Sequence, residues 1–216
     1  MTRVKICGIT NSDDALLACD SGADAIGLVF YPPSPRFVSI EQALQVVNNL
    51  PPFISTVALF VNAQREEIEQ VIDQVAIDLL QFHGDEPEEF CASFNRPYIK
   101  AVRMKDGLDL YAVQDEYASA RGLLLDTYKK GIPGGTGEAF NWHKVPHDLQ
   151  LPVILAGGLT ADNIAAAITQ VKPYAVDVSG GVEAFKGKKD PQKVIQFMQQ
   201  ALSVSQQALS VMPRAQ

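Results

Sequence analysis

Pro152-Val-Ile-Leu-Ala-Gly157-Gly158 and Ala175-Val-Asp-Val-Ser179-Gly180-Gly181 are two short apolar runs that each end in a glycine pair. Continuous apolar runs of this length suit strands buried on both faces. Glycines just past a strand let bare backbone N–H groups approach an anion. One such pair is equally well a tight turn. Two of them, one repeat apart, predict a phosphate held between the last two loops of a (β/α)8 barrel.

The same kind of run recurs upstream at Val4–Cys7, Ala25–Phe30, Thr56–Val61, Leu79–Phe82, Tyr98–Val102 and Gly122–Asp126, and the two quoted stretches add Val153–Ala156 and Ala175–Val178. Helical patterns lie between them. Ile68, Val71, Ile72 and Val75 follow i, i+3, i+4, i+7, as do Val194, Ile195, Met198, Ala201 and Leu202 more loosely. Start signals agree: Asn11 before the first helix, Ser39 with Gln42 three residues on, Asn62 before the third, and Asp190-Pro191 opening the last. Eight strands alternating with about eight helices predict an α/β fold, a single (β/α)8 TIM barrel with a parallel eight-stranded sheet. The catalytic domain is expected over 1–202, with 203–216 a C-terminal helix extension or frayed tail.

Composition narrows the classes. At 216 residues, 47% hydrophobic and 20% charged, the chain fits one ordinary globular domain. No apolar run approaches the roughly 20 residues of a membrane span, and the N-terminus has no signal-peptide pattern. Cys7, Cys19 and Cys91 are odd in number and widely spaced, against a disulfide framework or zinc site. The expected compartment is the cytoplasm. A net charge of −7 argues against nucleic acid or anionic membrane as partners. No GxGxxG or P-loop motif and no metal-ligand spacing appears, so no cofactor and no metal is expected. The amphipathic patterns leave no surplus apolar face, which predicts a monomer.

Two long connections fall at the strand C-terminal ends, where barrel chemistry occurs. Tyr31-Pro-Pro-Ser-Pro-Arg36-Phe37 is stiffened by prolines, and the glycine-rich stretch from Thr127 to Glu138 reads as a surface insertion or a lid. Cys7 ends the first strand, at the mouth of a barrel, where a thiolate serves as base or nucleophile if nearby positive charge lowers its pKa. Cys19 and Cys91, inside helical patterns, read as small buried hydrophobes. Asp126 closes Gly122-Leu-Leu-Leu-Asp and either caps the next loop or acts as a general acid. Asp177, inside its strand, is read as orienting its neighbours. Arg36 suits a carboxylate or phosphate, or is a solvated loop residue. His83, with Gln81, ends the fourth strand and is expected to line the pocket, whereas His143 and His147 look solvent-facing.

The motifs Lys5-Ile-Cys-Gly-Ile-Thr10, Ser34-Pro-Arg-Phe-Val38, Leu80-Gln-Phe-His-Gly84, Leu124-Leu-Asp-Thr127, Gly134-Gly-Thr-Gly137, Leu155-Ala-Gly-Gly-Leu159 and Val176-Asp-Val-Ser-Gly-Gly-Val-Glu183 together resemble the phosphoribosylanthranilate isomerase family, TIM-barrel enzymes of tryptophan biosynthesis. The likeness runs from residue 3 to about 200. Where this chain has Ser179-Gly180-Gly181 the family often has Ser-Ser-Gly, which spares backbone contacts and removes one candidate hydroxyl. The resemblance implies a cofactor-free Amadori rearrangement of N-(5-phosphoribosyl)anthranilate, a small-molecule substrate, to 1-(2-carboxyphenylamino)-1-deoxyribulose 5-phosphate. It implies that Asp126 is the general acid, Cys7 the general base and Arg36 the clamp for the anthranilate carboxylate. His83 joins the substrate-binding set, with Gly157, Gly158, Ser179, Gly180 and Gly181 around the phosphate.

Two other readings compete. Indole-glycerol-phosphate synthase shares the barrel and phosphate site but uses a catalytic lysine, for which Lys5 is the strand-one candidate. A non-catalytic phosphosugar-binding barrel keeps the glycine pairs without needing Cys7 and Asp126 together.

Overall fold

Eight parallel strands close on themselves in chain order: β1 (Arg3–Cys7), β2 (Ala25–Val29), β3 (Ser55–Phe60), β4 (Leu79–Phe82), β5 (Tyr98–Met104), β6 (Leu123–Thr127), β7 (Val153–Leu155) and β8 (Ala175–Val178). The computed structural model describes residues 1–127 and 140–210. β8 returns to β1 in the register Arg3–Ala175 through Ile6–Val178, so no edge is left in the barrel. The strands expected from sequence are these eight, with ends differing by at most two residues.

Helices α1 (Ser12–Asp20), α2 (Ile40–Val47), α3 (Arg65–Gln74), α4 (Glu88–Ala92), α5 (Leu110–Glu116), α6 (Ile164–Val171) and α7 (Pro191–Ser210) surround the barrel. Asn11 caps α1 by accepting from the Asp14 N–H, and Ser39 with Gln42 forms a reciprocal capping box on α2. Asp190 accepts from the N–H groups of Gln192 and Lys193 at the head of α7, which continues past position 202 to Ser210. Asn62 does not cap α3. Gln64 stands there in a capping box with Glu67, while Asn62, at φ +49°, accepts from the Asp85 N–H and ties two loops together. Between β6 and β7 the described residues hold a single 3-10 turn, Trp142–Lys144, in place of a full helix. Pro146 lies one residue beyond it and disfavours a helical Val145.

The outward strand faces and the helices share the main apolar core. Inside the barrel, Ile99, Ala101, Leu124, Ile154, Ala156 and Ala175 form a second packed cluster. Phe53, after Pro51-Pro52, is fully exposed at φ +71°. The glycine-rich connection read as a lid lies, beyond Thr127, outside the described residues. No helix among the described residues is long and apolar enough to cross a membrane.

Beyond β8 a 3-10 turn, Gly180–Val182, leads into a small antiparallel pair, β9 (Glu183–Phe185) and β10 (Lys188–Lys189). This hairpin carries side chains back over the barrel mouth.

Candidate active site

Strand alternation decides which side chains enter the barrel. On β1, Lys5 and Cys7 share the inward face; Gln81 and His83 do so at β4, Leu124 and Asp126 on β6, and Ala175 and Asp177 on β8. The last inward residue of each pair stands at the C-terminal mouth, over a cavity of about 840 Å³. Cys7, Arg36, His83 and Asp126 line that cavity, and so do Gly157, Gly158, Ser179, Gly180 and Gly181. Every residue to which the resemblance gives a catalytic or substrate-binding role is therefore brought to one cavity, whereas Lys5, the candidate lysine of the synthase reading, is not among its lining residues. His143 and His147 are not in it.

The two glycine pairs meet. A Cβ at Gly181 would fall 1.8 Å from the Leu159 carbonyl oxygen, so only glycine lets the loop after β8 press on the loop after β7. Gly157 and Gly158 adopt φ +80° and +63°, a region that L side chains avoid. Among the described residues, the N–H groups of Gly157, Gly158, Gly180 and Gly181 donate to no backbone carbonyl. The buried Ser179 hydroxyl also lacks a partner there. Unspent backbone donors on two touching loops are the kind of group that can receive an anion.

Cys7 sits above a buried ion pair, Lys5 Nζ to Asp177 Oδ1 at 2.7 Å. Burial pushes the Cys7 thiol up from its ordinary value, while the Lys5 and Lys189 ammoniums pull it down and Asp177 pushes it further up. The positive charge looked for near this cysteine is present, but burial outweighs it. Lys5 itself is raised, because Asp177 and Cys7 overcome its desolvation. Lys5→Met removes the charge that favours the thiolate and leaves Asp177 unpaired. Both effects push the thiol higher, so the pH at which iodoacetamide modifies half of Cys7, followed by peptide mass spectrometry, is expected to rise. By contrast Cys91, enclosed in α4, is pushed up to about 12 by burial.

Arg36 is held more firmly than a loop arginine need be. Its Nε and Nη2 donate to Glu183 Oε1 and Oε2 at 2.7 and 2.8 Å, a side-on bidentate pair. Two of its five N–H donors are used, and the outer edge of the guanidinium remains for a ligand. That hydrogen bond to Glu183 holds the arginine above its ordinary value. Burial works to raise Glu183, yet Arg36 and Lys189 together hold it below the usual carboxylate range.

Lys189 is 1% exposed. Its Nζ donates to the Cys7 carbonyl at 2.7 Å, the Ser179 carbonyl at 3.2 Å and Glu183 Oε1 at 3.3 Å. Three acceptors require three N–H groups, so the ammonium form is the one built in. Burial lowers its pKa more than Glu183 raises it. The sequence reading missed both Glu183 and Lys189 as positioning groups. Glu183 stood in a quoted motif without a role, and Lys189 was not singled out at all.

At the far wall, Asp126 is 5% exposed. Its Oδ1 accepts from the Thr127 N–H at 2.8 Å, and its Oδ2 lies 3.2 Å from His83 Nε2. His83 Nδ1 lies 3.0 Å from Gln81 Nε2, so both ring nitrogens are engaged within the protein. Near Arg36, Val29, Leu59, Tyr31 and Val61 form an apolar patch beside Cys7. Among the described residues no group of three His, Cys, Asp or Glu side chains is arranged to hold a metal ion.

Residues 4–200 match the family model described as "N-(5'phosphoribosyl)anthranilate (PRA) isomerase". The chain is 61% identical over 196 residues to N-(5'-phosphoribosyl)anthranilate isomerase of Pseudomonas syringae pv. syringae, covering 91% of this chain and 95% of that one. It is 64% identical over 181 residues to the Alcanivorax borkumensis enzyme of the same name, covering 84% and 83%. The crystal structure of phosphoribosyl anthranilate isomerase from Thermotoga maritima superposes with a TM-score of 0.88 at 42% identity, over 94% of this chain and 100% of that one. A structure of such an enzyme in complex with reduced 1-(o-carboxyphenylamino)-1-deoxyribulose 5-phosphate gives 0.84 at 41%, with the same coverage.

Proposed function

The chain belongs to the N-(5'-phosphoribosyl)anthranilate isomerase family, and on that premise we propose that Asp126 and Cys7 are the acid and base of its rearrangement, with the substrate held at both ends by Arg36 and the glycine loops. The chain is an isomerase of tryptophan biosynthesis; the assignment of roles to residues is our reading.

The observation that carries it is that Cys7, from β1, and Asp126, from β6, open on the same cavity. An aldose ring must be protonated on its ring oxygen to open, and the resulting Schiff base must lose its C2′ proton. Two groups on separate strands reach the two sites without meeting each other. Asp126 gives a proton to the ring oxygen as the C1′–O bond breaks. Cys7 takes the C2′ proton, leaving an enolamine. Protonation at C1′ by the same thiol, and loss of the C2′ hydroxyl proton, give the ketone. The proton count closes without a redox partner.

The ends of the substrate fix this geometry. The phosphate takes the free N–H groups at Gly157, Gly158, Gly180 and Gly181 and the unpartnered Ser179 hydroxyl. The anthranilate carboxylate takes the outer edge of Arg36, and its ring packs on Val29, Tyr31, Leu59 and Val61. Lys5, proposed for a catalytic lysine under the synthase reading, is 6% exposed and paired with Asp177 below Cys7. That placement suits support of a thiolate.

Decay of phosphoribosylanthranilate fluorescence on adding the protein tests the activity directly. Arg36→Ala tests the carboxylate clamp. Loss of a charge-assisted bond costs about 1.5–3 kcal/mol, so kcat/KM is expected to fall by roughly 10–150-fold. A change under about threefold would remove Arg36 from substrate binding.

A further inference from the structure

A second hollow, of about 300 Å³, lies beside the apolar patch of the large cavity. Tyr31 and Val61 line both spaces, while Cys7, Arg36 and Asp126 line the large one alone. Phe30 and Phe60, stacked with ring centroids 5.5 Å apart, form part of the hollow's wall together with Val38 and Val71. Its polar liners are engaged in local structure. Ser39 Oγ accepts from the Gln42 N–H at 3.2 Å, Asn62 Oδ1 from the Asp85 N–H at 2.8 Å and Glu67 Oε2 from the Gln64 N–H at 2.9 Å. What the hollow offers an occupant is therefore hydrocarbon.

We propose that Tyr31 and Val61 are the specificity-determining partition of the aromatic subsite. They set the largest substituent that the anthranilate ring can carry, and the hollow behind them is a latent extension of that subsite for an uncharged, apolar group. This rests on the reading that the ring packs on Val29, Tyr31, Leu59 and Val61. With the carboxylate on Arg36 and the amine on the ribose, two adjacent ring carbons are committed. The opposite edge, ring carbons 4 and 5, faces away from both and meets the partition. An alkyl group added there either displaces a wall residue or passes between the two into the hollow.

The wall does not give easily. Tyr31 opens a turn in which its carbonyl accepts from the Ser34 N–H at 2.8 Å, and Pro32 and Pro33 fix the backbone beyond it. Val61 is followed by Asn62, whose N–H donates to Glu86 Oε1 at 2.7 Å and whose side chain ties it to Asp85. Glu86 is itself buried and paired with Lys100 at 2.7 Å. Both wall residues thus stand on anchored backbone, so a larger ring forced against them meets the cost of overpacking. Shortening Val61 is the smallest change that joins the two spaces.

Val61→Ala removes two methyl groups, less room than a three-carbon chain needs, so a propyl substituent fits only by entering the hollow. The probes are phosphoribosylanthranilate and its 4-propyl and 5-propyl ring derivatives, followed by loss of substrate fluorescence. The readout is the ratio of kcat/KM, substituted over unsubstituted, within each variant, so a general loss of activity cancels. In Val61→Ala that ratio is expected to rise at least about tenfold over the parent for one of the two derivatives. Ala63 lines the hollow and not the large cavity. Adding Ala63→Leu to Val61→Ala fills the hollow from behind, and the ratio should return to within about threefold of the parent. A ratio unmoved by Val61→Ala while the rate on the unsubstituted substrate changes overturns the proposal, and so does a gain that Ala63→Leu leaves intact. Parent rates on all three substrates in Val61→Ala would instead show that the ring does not touch Val61, which removes the ring placement itself, a separate failure.

Discussion

Asp126→Asn and Cys7→Ser are each expected to lower isomerase turnover by about 10²–10⁴-fold, the usual worth of a positioned acid or base. Both changes nearly preserve shape. In Asp126→Asn the amide keeps a carbonyl oxygen for the Thr127 N–H, and in Cys7→Ser a small side chain still covers the Lys5–Asp177 pair. What is lost is chemistry: an amide has no proton to give a ring oxygen, and an alcohol is a far weaker acid than a thiol, so it supplies almost no anion to act as base. The measurement is steady-state loss of substrate fluorescence, with circular dichroism to confirm folding. Turnover near the parent level in either variant would withdraw that residue's role. The pH profile carries a sign as well. Burial holds the Cys7 thiol above its ordinary value, so the thiolate fraction still rises with pH beyond neutrality. Rates limited by C2′ proton removal should therefore climb on the alkaline side.

Lys189→Met is expected to give the largest loss of stability among single changes near the site. The ammonium holds the Cys7 carbonyl, the Ser179 carbonyl and Glu183 together in a place with almost no water. Methionine fills similar volume and makes none of those bonds. Two buried carbonyls lose a donor, and Glu183 keeps only Arg36 as a cation. Removing one partner of a buried pair costs about 3–5 kcal/mol, or roughly 6–20 °C in Tm for a chain of this size. Thermal or urea unfolding measures it. Because Ser179 opens the loop after β8, weaker inhibition by inorganic phosphate is expected alongside. A Tm within about 2 °C of the parent, well below that range, would show that this hub contributes little.

The recurrence of continuous apolar runs between helical patterns, with the cap residues, made the barrel legible. Val4 to Cys7 and Leu123 to Asp126 read as strands because nearly every residue in them must be buried, on one face against helices and on the other inside the barrel. Asn11, Ser39 and Asp190 cap because their side chains satisfy N–H groups that a helix leaves free. Asn62 misled for a related reason: the same side chain that suits a cap also tolerates positive φ, and here it serves a loop.

By itself, the sequence determined the strand count, the mouth positions of Cys7 and Asp126, and the glycine loops that leave N–H groups unspent. These follow from local rules, since a period of two and a strand end suffice to aim a side chain. Only the tertiary structure decided which charges neutralise one another. Lys5 meets Asp177 across the β1–β8 seam, Lys189 returns from a hairpin 182 positions away to hold Cys7, Glu183 grips Arg36, and His83 turns to Asp126. Such partners are set by barrel closure and by the need to pair every buried charge, and neither leaves a pattern along the chain. The glycine pairs at 157–158 and 180–181 stand between the two cases: each was visible as a turn, and the contact of Gly181 with Leu159 brings both loops to one end of the cavity.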